Sequence, residues 1–343
     1  MGIRVTSRQR YMGWPCSEPL SKGDSACISL TQRFHDGCCP RGRADVLIGR
    51  SGTTAPALSN SPALRRTSKM ENMDTRLFEG EEHASLYQKY RLSLPLEMQR
   101  LVLSYLEEKK GKPFVLAADV GCGTGQTTCV LAPHFEKVVG TDISEAQIKE
   151  AKKMSSPPNV SFLVSPAEEL PFEDVSVDLV IASSAAHWFN LEKFMKEANR
   201  VLKPHGCMAL LTYTQHLEVH AKDCSDNLTA IYREVEDVLV PFGSVNITHV
   251  KSGYKDIFDA IPFPDKTRLA NKVCPVSLPV SAFIGLIESF SMFQTFLKKD
   301  AESAKELLRK TEKRFLEALG ASSSEAMVEL HMQYLCVLAC KPA

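Results

Sequence analysis

Three sets of side chains stand at spacings that could do chemistry. Asp119 is followed by glycines at 121, 123 and 125. Glycines at alternate positions allow a tight turn, and bare backbone lets a ligand press against it. The first amides of a helix that follows would face that ligand with a partial positive charge. A second acid, Asp142, closes the short apolar run Val138–Ile143, where a carboxylate could accept both hydroxyls of a ribose. His187, beside Trp188, is the well-placed candidate for moving a proton near neutral pH.

Strands must hold these residues. Phe114–Ala118 is an apolar run that predicts a buried parallel strand ending at Asp119. Val138–Ile143 predicts a second strand, and Ser144-Glu145-Ala146-Gln147 matches a capping box, so a helix starts at once. Val160–Val164 predicts a third strand, running into the segment Ser165–Phe172. Val177–Ala182 predicts a fourth, leading to Ser183–Phe189. Phe194, Met195, Ala198, Val201 and Leu202 share one face of a helix, which Lys203-Pro204-His205-Gly206 ends with a reversal. Cys207–Tyr213 predicts a fifth strand. Units in this order predict a doubly wound parallel sheet with its ligand at the carboxyl ends of the strands.

Spacing separates two ligand classes. The dinucleotide fingerprint has its third glycine five residues after the first, where this chain has Gln126; its own third glycine is Gly125. A nicotinamide-dependent oxidoreductase would share the strand order and Asp142 but not this loop. The Asp119-x-Gly-x-Gly-x-Gly run resembles motif I of the class I S-adenosylmethionine (SAM)-dependent methyltransferases, a likeness covering roughly residues 75–343 and strong in 115–213. Within that class, Phe78-Glu79-Gly80, His83-Ala84, Tyr87-Gln88-Lys89-Tyr90-Arg91 and Ala186-His187-Trp188-Phe189 look like the trans-aconitate methyltransferase-like branch.

The resemblance implies a Rossmann-like, mostly parallel seven-stranded sheet with an antiparallel last strand and a helical lid over about 214–320. It implies SAM as cofactor, a small-molecule acceptor and a carboxylate as the favoured nucleophile. The implied cofactor residues are Tyr87, Arg91, Asp119, Gly121, Gly123, Gly125, Asp142, Ile143, Ala167, Glu168 and Ser183. In the family a backbone amide and a side chain read the adenine edge; the Ala167 amide is available for this, while Pro166 stands where many members carry the Asp side chain. One of Glu168 and Glu169 would face solvent. His187 is either a base or a scaffold beneath the cofactor. Trp188 is the implied substrate residue; an arginine is the natural bidentate clamp for a carboxylate, and Arg268 in the lid region is the candidate for it.

A methyl carbon on a sulfonium is already electrophilic, so orientation is the main task and can lower a barrier by about 7–11 kcal/mol. A carboxylate, with a pKa near 4, needs no base. A hydroxyl or ammonium acceptor would need one. Methylation of a hydroxyl, amine or protein, and cofactor binding without turnover, are the alternative readings.

Length and charge set the frame. The 343 residues exceed one ordinary domain and divide into a leader, 1–72, and an enzyme domain, 73–343, with a cofactor half at about 100–213 and a substrate half at about 214–343. The chain carries 41 basic and 41 acidic residues, yet residues 1–69 hold 11 Lys and Arg against 4 Asp and Glu. This Ser-, Gly-, Pro- and Arg-rich leader is expected to be disordered, with Met70 or Met73 as alternative starts. A mitochondrial transit peptide and myristoylation at Gly2 are the competing readings. No stretch approaches the roughly 18 apolar residues of a membrane span. The eleven cysteines, Cys38-Cys39 among them, lack metal spacing and are expected as free thiols in the cytosol. No metal, membrane or nucleic-acid partner is expected, and the chain is expected to be a monomer. Downstream, Asp226–Leu239 and Ala301–Leu319 predict helices, and Met327–Cys340 alternates as a strand. The aromatic patch Tyr254–Pro264 and the apolar run Phe283–Leu297 are read mainly as core.

Overall fold

The computed structural model describes residues 77–244 and 246–343. The expected disorder of the leader, its alternative starts, the Gly2 modification and Cys38-Cys39 all lie outside these residues. The elements in order are α1 Glu81–Tyr90, α2 Leu96–Lys110, β1 Leu116–Val120, α3 Gln126–Leu131, β2 Lys137–Asp142, α4 Glu145–Lys153, β3 Val160–Val164, β4 Val177–Ser183, α5 Leu191–Val201 and β5 Leu202–His220. There follow α6 Ser225–Leu239, α7 Ile247–Lys251, α8 Lys255–Ala260, β6 Asp265–Pro279, α9 Val280–Glu288, α10 Ser291–Lys299, α11 Ala301–Leu319 and β7 Met327–Cys340.

The seven strands lie in the order β3-β2-β1-β4-β5-β7-β6. β1 to β5 are mutually parallel, and β7 runs antiparallel between β5 and β6. β4 is buried on both faces: Leu179 and Ile181 join one core, Val180 and Ala182 the other. The first core includes Met98, Val102 and Leu106 of α2, Leu228 and Ile231 of α6, Phe283 of α9 and Phe315 of α11. The second takes Phe194, Met195, Ala198 and Val201 of α5 with Tyr254 and Ile257. Complete burial of a side chain such as Phe194 contributes about 1.5–3 kcal/mol. A buried acid in β4 fixes the start of β1. Asp178 accepts the amides of Val115 (2.7 Å) and Leu116 (2.8 Å) and pairs with Lys110 and Lys203. Burial works to raise its pKa, but Lys203, the amides and Lys110 together hold it below the usual carboxylate value.

Two expectations need correction. Lys203-Pro204-His205-Gly206 is not a separate reversal, and Leu202 is no longer helical. β5 begins at Leu202, which pairs with Val177, and absorbs the irregularity with His205 at φ 64°. His205 donates its amide to the Lys341 carbonyl, and Lys341 donates to Gly206, so β7 satisfies this kink. Residues 214–320 are not simply a lid. They extend β5, supply β6 and cover one sheet face with α6, α9 and α11; the apolar run Phe283–Leu297 becomes α9 and α10, bent by 70°. Among the described residues no single helix is long and apolar enough to cross a membrane.

Candidate active site

The glycine loop leaves β1 and enters α3 in left-handed backbone. Gly121 has φ 67°, and a Cβ there would lie 2.5 Å from that of Ala185. Gly125 has φ 90°, and a Cβ there would lie 2.6 Å from the Phe162 ring. No other residue fits both the backbone and the space. Asp142, at the tip of β2, ties this loop in place: its carboxylate accepts Gly123 N–H at 2.9 Å and Ser144 N–H at 2.8 Å. Burial raises its pKa against those two bonds. Ser144 caps α4 by accepting the Gln147 amide, the first half of the expected capping box; the second half is replaced, because the Ser144 amide goes to Asp142 and the Gln147 side chain does not reach back. Asp119 is buried behind the loop. Its Oδ2 accepts the Thr128 hydroxyl at 2.6 Å, and burial pushes its carboxyl up to about 7.

A roof descends from the amino-terminal segment. Phe78 sets its ring edge against Trp188, with centroids 5.8 Å apart. Tyr87 crosses the loop, its Cε1 3.5 Å from the position of a Cβ on Gly123. The Arg91 guanidinium lies 4.7 Å from the Tyr87 ring and 5.1 Å from Phe290. It donates to the Tyr213 hydroxyl at the end of the parallel part of β5 and, at 3.3 Å, to the Ser289 carbonyl between α9 and α10. Among the described residues no carboxylate is in ion-pair reach of Arg91. His83 of α1 pairs with the same Ser289 carbonyl at 3.0 Å. The α9–α10 junction is therefore one part of the expected lid that reaches the site.

His187 stands on a 3-10 turn after β4, its Nδ1 2.7 Å from the Tyr254 hydroxyl. Burial, then the charges of His249 and Arg91, push its pKa down to about 3, so the ring is neutral at pH 7. Tyr254, fully buried with φ 58°, was legible only as an aromatic in an apolar patch.

The profile of the methyltransferase domain family matches residues 118–210, the stretch carrying the glycine loop, both acids and His187. A Dictyostelium discoideum protein named as a methyltransferase is 30% identical over 215 residues, 62% of this chain and 76% of that one. The chain belongs to the class I SAM-dependent methyltransferases. A Saccharomyces cerevisiae protein named as a SAM-dependent methyltransferase is 34% identical over 134 residues, 38% of this chain and 45% of its own. The solved structure of a type II methyltransferase from Anaeromyxobacter dehalogenans has a TM-score of 0.57 at 26% identity, covering 74% of this chain and 100% of that one.

The methyltransferase's own atoms fit its cofactor, which supplies a sulfonium-activated methyl carbon when bound. Asp119 Oδ1, Thr141 Oγ1 and both amide atoms of Gln147 are buried without a partner near the glycine loop. Such groups cost about 1–3 kcal/mol each when unpaired, and an amino-acid tail carries groups that would satisfy them. Each Asp142 oxygen keeps a lone pair for a ribose hydroxyl. Ile143, 47% exposed at the strand tip, offers an apolar platform to a flat base. Thr128 escaped the sequence reading because it is an ordinary helix residue until the fold sets it against Asp119, and Gln147 was legible only as part of a capping box.

Other expected residues are distributed unevenly. Ala167 is buried in the turn after β3, and Ser183 lies at the end of β4. Glu168 accepts the Asn190 amide at 2.6 Å, tying the loop after β3 to the start of α5, while Glu169 faces solvent. Arg268 does not belong with the site. It is exposed on edge strand β6, paired with Val337, and donates to the Gly253 carbonyl at 2.9 Å. Its charge is spent on the α7–α8 turn, outside Tyr254.

Asp119 yields a pH test. Its folded pKa of about 7 lies above the unfolded value of about 3.9, so between them only the folded chain holds the proton and stability falls as pH rises. The contribution is complete below about pH 4 and gone above about pH 7. Asp119→Asn should therefore gain in melting temperature relative to the parent as pH is raised from 5 to 8. Parallel melting curves for the two proteins would reject this assignment.

Proposed function

We propose that this methyltransferase moves the SAM methyl group onto an oxygen of a small carboxylic acid held by Arg91. The carboxylate lone pair forms the new O–C bond as the S–C bond breaks in line. The products are a methyl ester and S-adenosylhomocysteine, and no proton moves. The observation that carries this reading is a half-buried guanidinium flanked by Tyr87, Tyr213 and Phe290, with no acidic partner among the described residues. A planar bidentate anion is the ligand that suits it best. His187 supports the reading. A ring held neutral with a pKa near 3, its Nδ1 committed to Tyr254, is a poor base for a hydroxyl or ammonium but harmless to an acceptor already ionised. The resemblance to the trans-aconitate methyltransferase-like branch points the same way.

The test is incubation with methyl-labelled SAM and matched panels of small acids, alcohols and amines, alongside a protein extract. Label should enter a base-labile ester of an acid. At saturating SAM, kcat should stay level from about pH 6 to 9, because the acceptor is ionised throughout, and His187→Gln should not introduce a slope. Product from alcohols, amines or protein alone would overturn the proposal. So would a rate that climbs through neutral pH and loses its slope in His187→Gln.

A further inference from the structure

β5 and β7 carry the same short pattern, an acid and a histidine two residues apart: Glu218-x-His220 and Glu329-x-His331. The antiparallel register sets Glu218 opposite His331 and His220 opposite Glu329. All four side chains consequently leave one face of the ribbon. The intervening Leu217, Val219, Leu330 and Met332 are buried on the other face.

The arrangement is compact. The two imidazoles stack with centroids 3.9 Å apart and planes 26° from parallel. His220 Nε2 lies 3.1 Å from Glu218 Oε2, and His331 Nε2 lies 2.7 Å from Glu329 Oε1. One ligand atom from each of Glu218, His220 and His331 falls within 4.8 Å of the other two. The side chains keep 30–50% of their surface exposed, so water and ions reach them.

We propose that Glu218, His220 and His331, with Glu329 alongside, bind one divalent transition-metal ion of the zinc class. Such ions take imidazole nitrogen at about 2.0–2.1 Å and carboxylate oxygen at about 2.0–2.2 Å, usually in tetrahedral sets. Small side-chain rotations on a backbone fixed by the ladder would bring these atoms to one centre. Two imidazoles select against calcium and magnesium, which prefer oxygen sets. The site stands apart from the methyl-transfer centre, beyond Tyr213 on β5. Its ion would staple β5 to β7 on the strand pair that carries Tyr213 and Tyr334, whose rings touch at 5.9 Å. Its effect is mechanical, firming the anchor on which Arg91 rests.

The experiment is titration of zinc chloride into the chelator-treated full chain, followed by calorimetry and thermal melting. One ion should bind per chain and raise the melting temperature as ligand linkage requires. His220→Ala and His331→Ala should each weaken binding at least about tenfold, since even outer partners of a ligand set cost that much. The double variant should lose the melting shift while still binding SAM, and His331→Gln repeats the test if an alanine variant misfolds. Wild-type-like zinc binding in the double variant would move the ion to the chain's thiols and overturn the proposal. Absence of binding to the parent, or an equal response to magnesium chloride, would do the same.

Discussion

Arg91→Met should leave the protein at least as thermostable as the parent while lowering kcat/KM for the acid acceptor about a hundredfold or more. The two effects differ in direction because Arg91 serves a ligand better than it serves the fold. Its side chain is half-buried between two ring faces with Nε buried and unpaired, and its partners among the described residues are a hydroxyl and a carbonyl, not an acid. A methionine of similar length keeps the packing and removes the buried, unpaired Nε together with a charge that no acid among the described residues balances. Hydrogen bonds from a charged donor contribute about 1.5–3 kcal/mol each. Losing a bidentate pair thus removes about 3 kcal/mol or more, enough for that hundredfold loss. Calorimetry with SAM separates this from a cofactor role. An affinity within a few-fold of the parent supports an acceptor clamp. A SAM affinity that falls by the same factor as kcat/KM would assign Arg91 to the cofactor's own tail.

The largest loss of stability is expected from Gly125→Ala. A non-glycine residue at φ 90° pays about 1–2 kcal/mol for left-handed backbone. The new Cβ, 2.6 Å from the Phe162 ring and 3.6 Å from the Ala151 Cβ, adds about 1–3 kcal/mol of overpacking. Together these should lower the melting temperature by roughly 4–20 °C in a domain of this size. SAM binding should vanish with it, because Phe162 and the Gly123–Asp142 tie hold the same loop. Gly111→Ala is the control: its φ is 72° but nothing lies within 4 Å of the added carbon. Equal losses in the two variants would show that Phe162 yields freely and that only backbone strain matters.

The legible parts of the fold are those where local pattern and tertiary role agree. The apolar runs of β1 and β2, the Ser144 cap, the helix ending at Gly320 and the alternation of β7 all read directly, because each is specified by its own residues. β6 did not. The first nine residues of this edge strand are all exposed or half-exposed, so only Cys274–Leu278 alternates, and the bulge near Asn271, at φ 63°, interrupts its register. The site divides the same way. Asp119, Asp142 and the glycines announce themselves by spacing. Tyr254 beside His187, Ser289 beneath Arg91 and Asp178 across the start of β1 are partners made by folding, each distant in sequence. Arg268 misled for the converse reason: a lone arginine in an uncharacterised region carries no sign of the carbonyl that will claim it.

The seat of β7 gives synthesis and assembly different orders. β6 joins the sheet through β7, which is made later, so its ladder has no partner strand until Met327–Cys340 exists. A nascent or truncated chain stopping short of Met327 exposes the flank of β5, a ready template for foreign strands. Such fragments should precipitate or recruit chaperones, and a supplied peptide of the β7 sequence should rescue them.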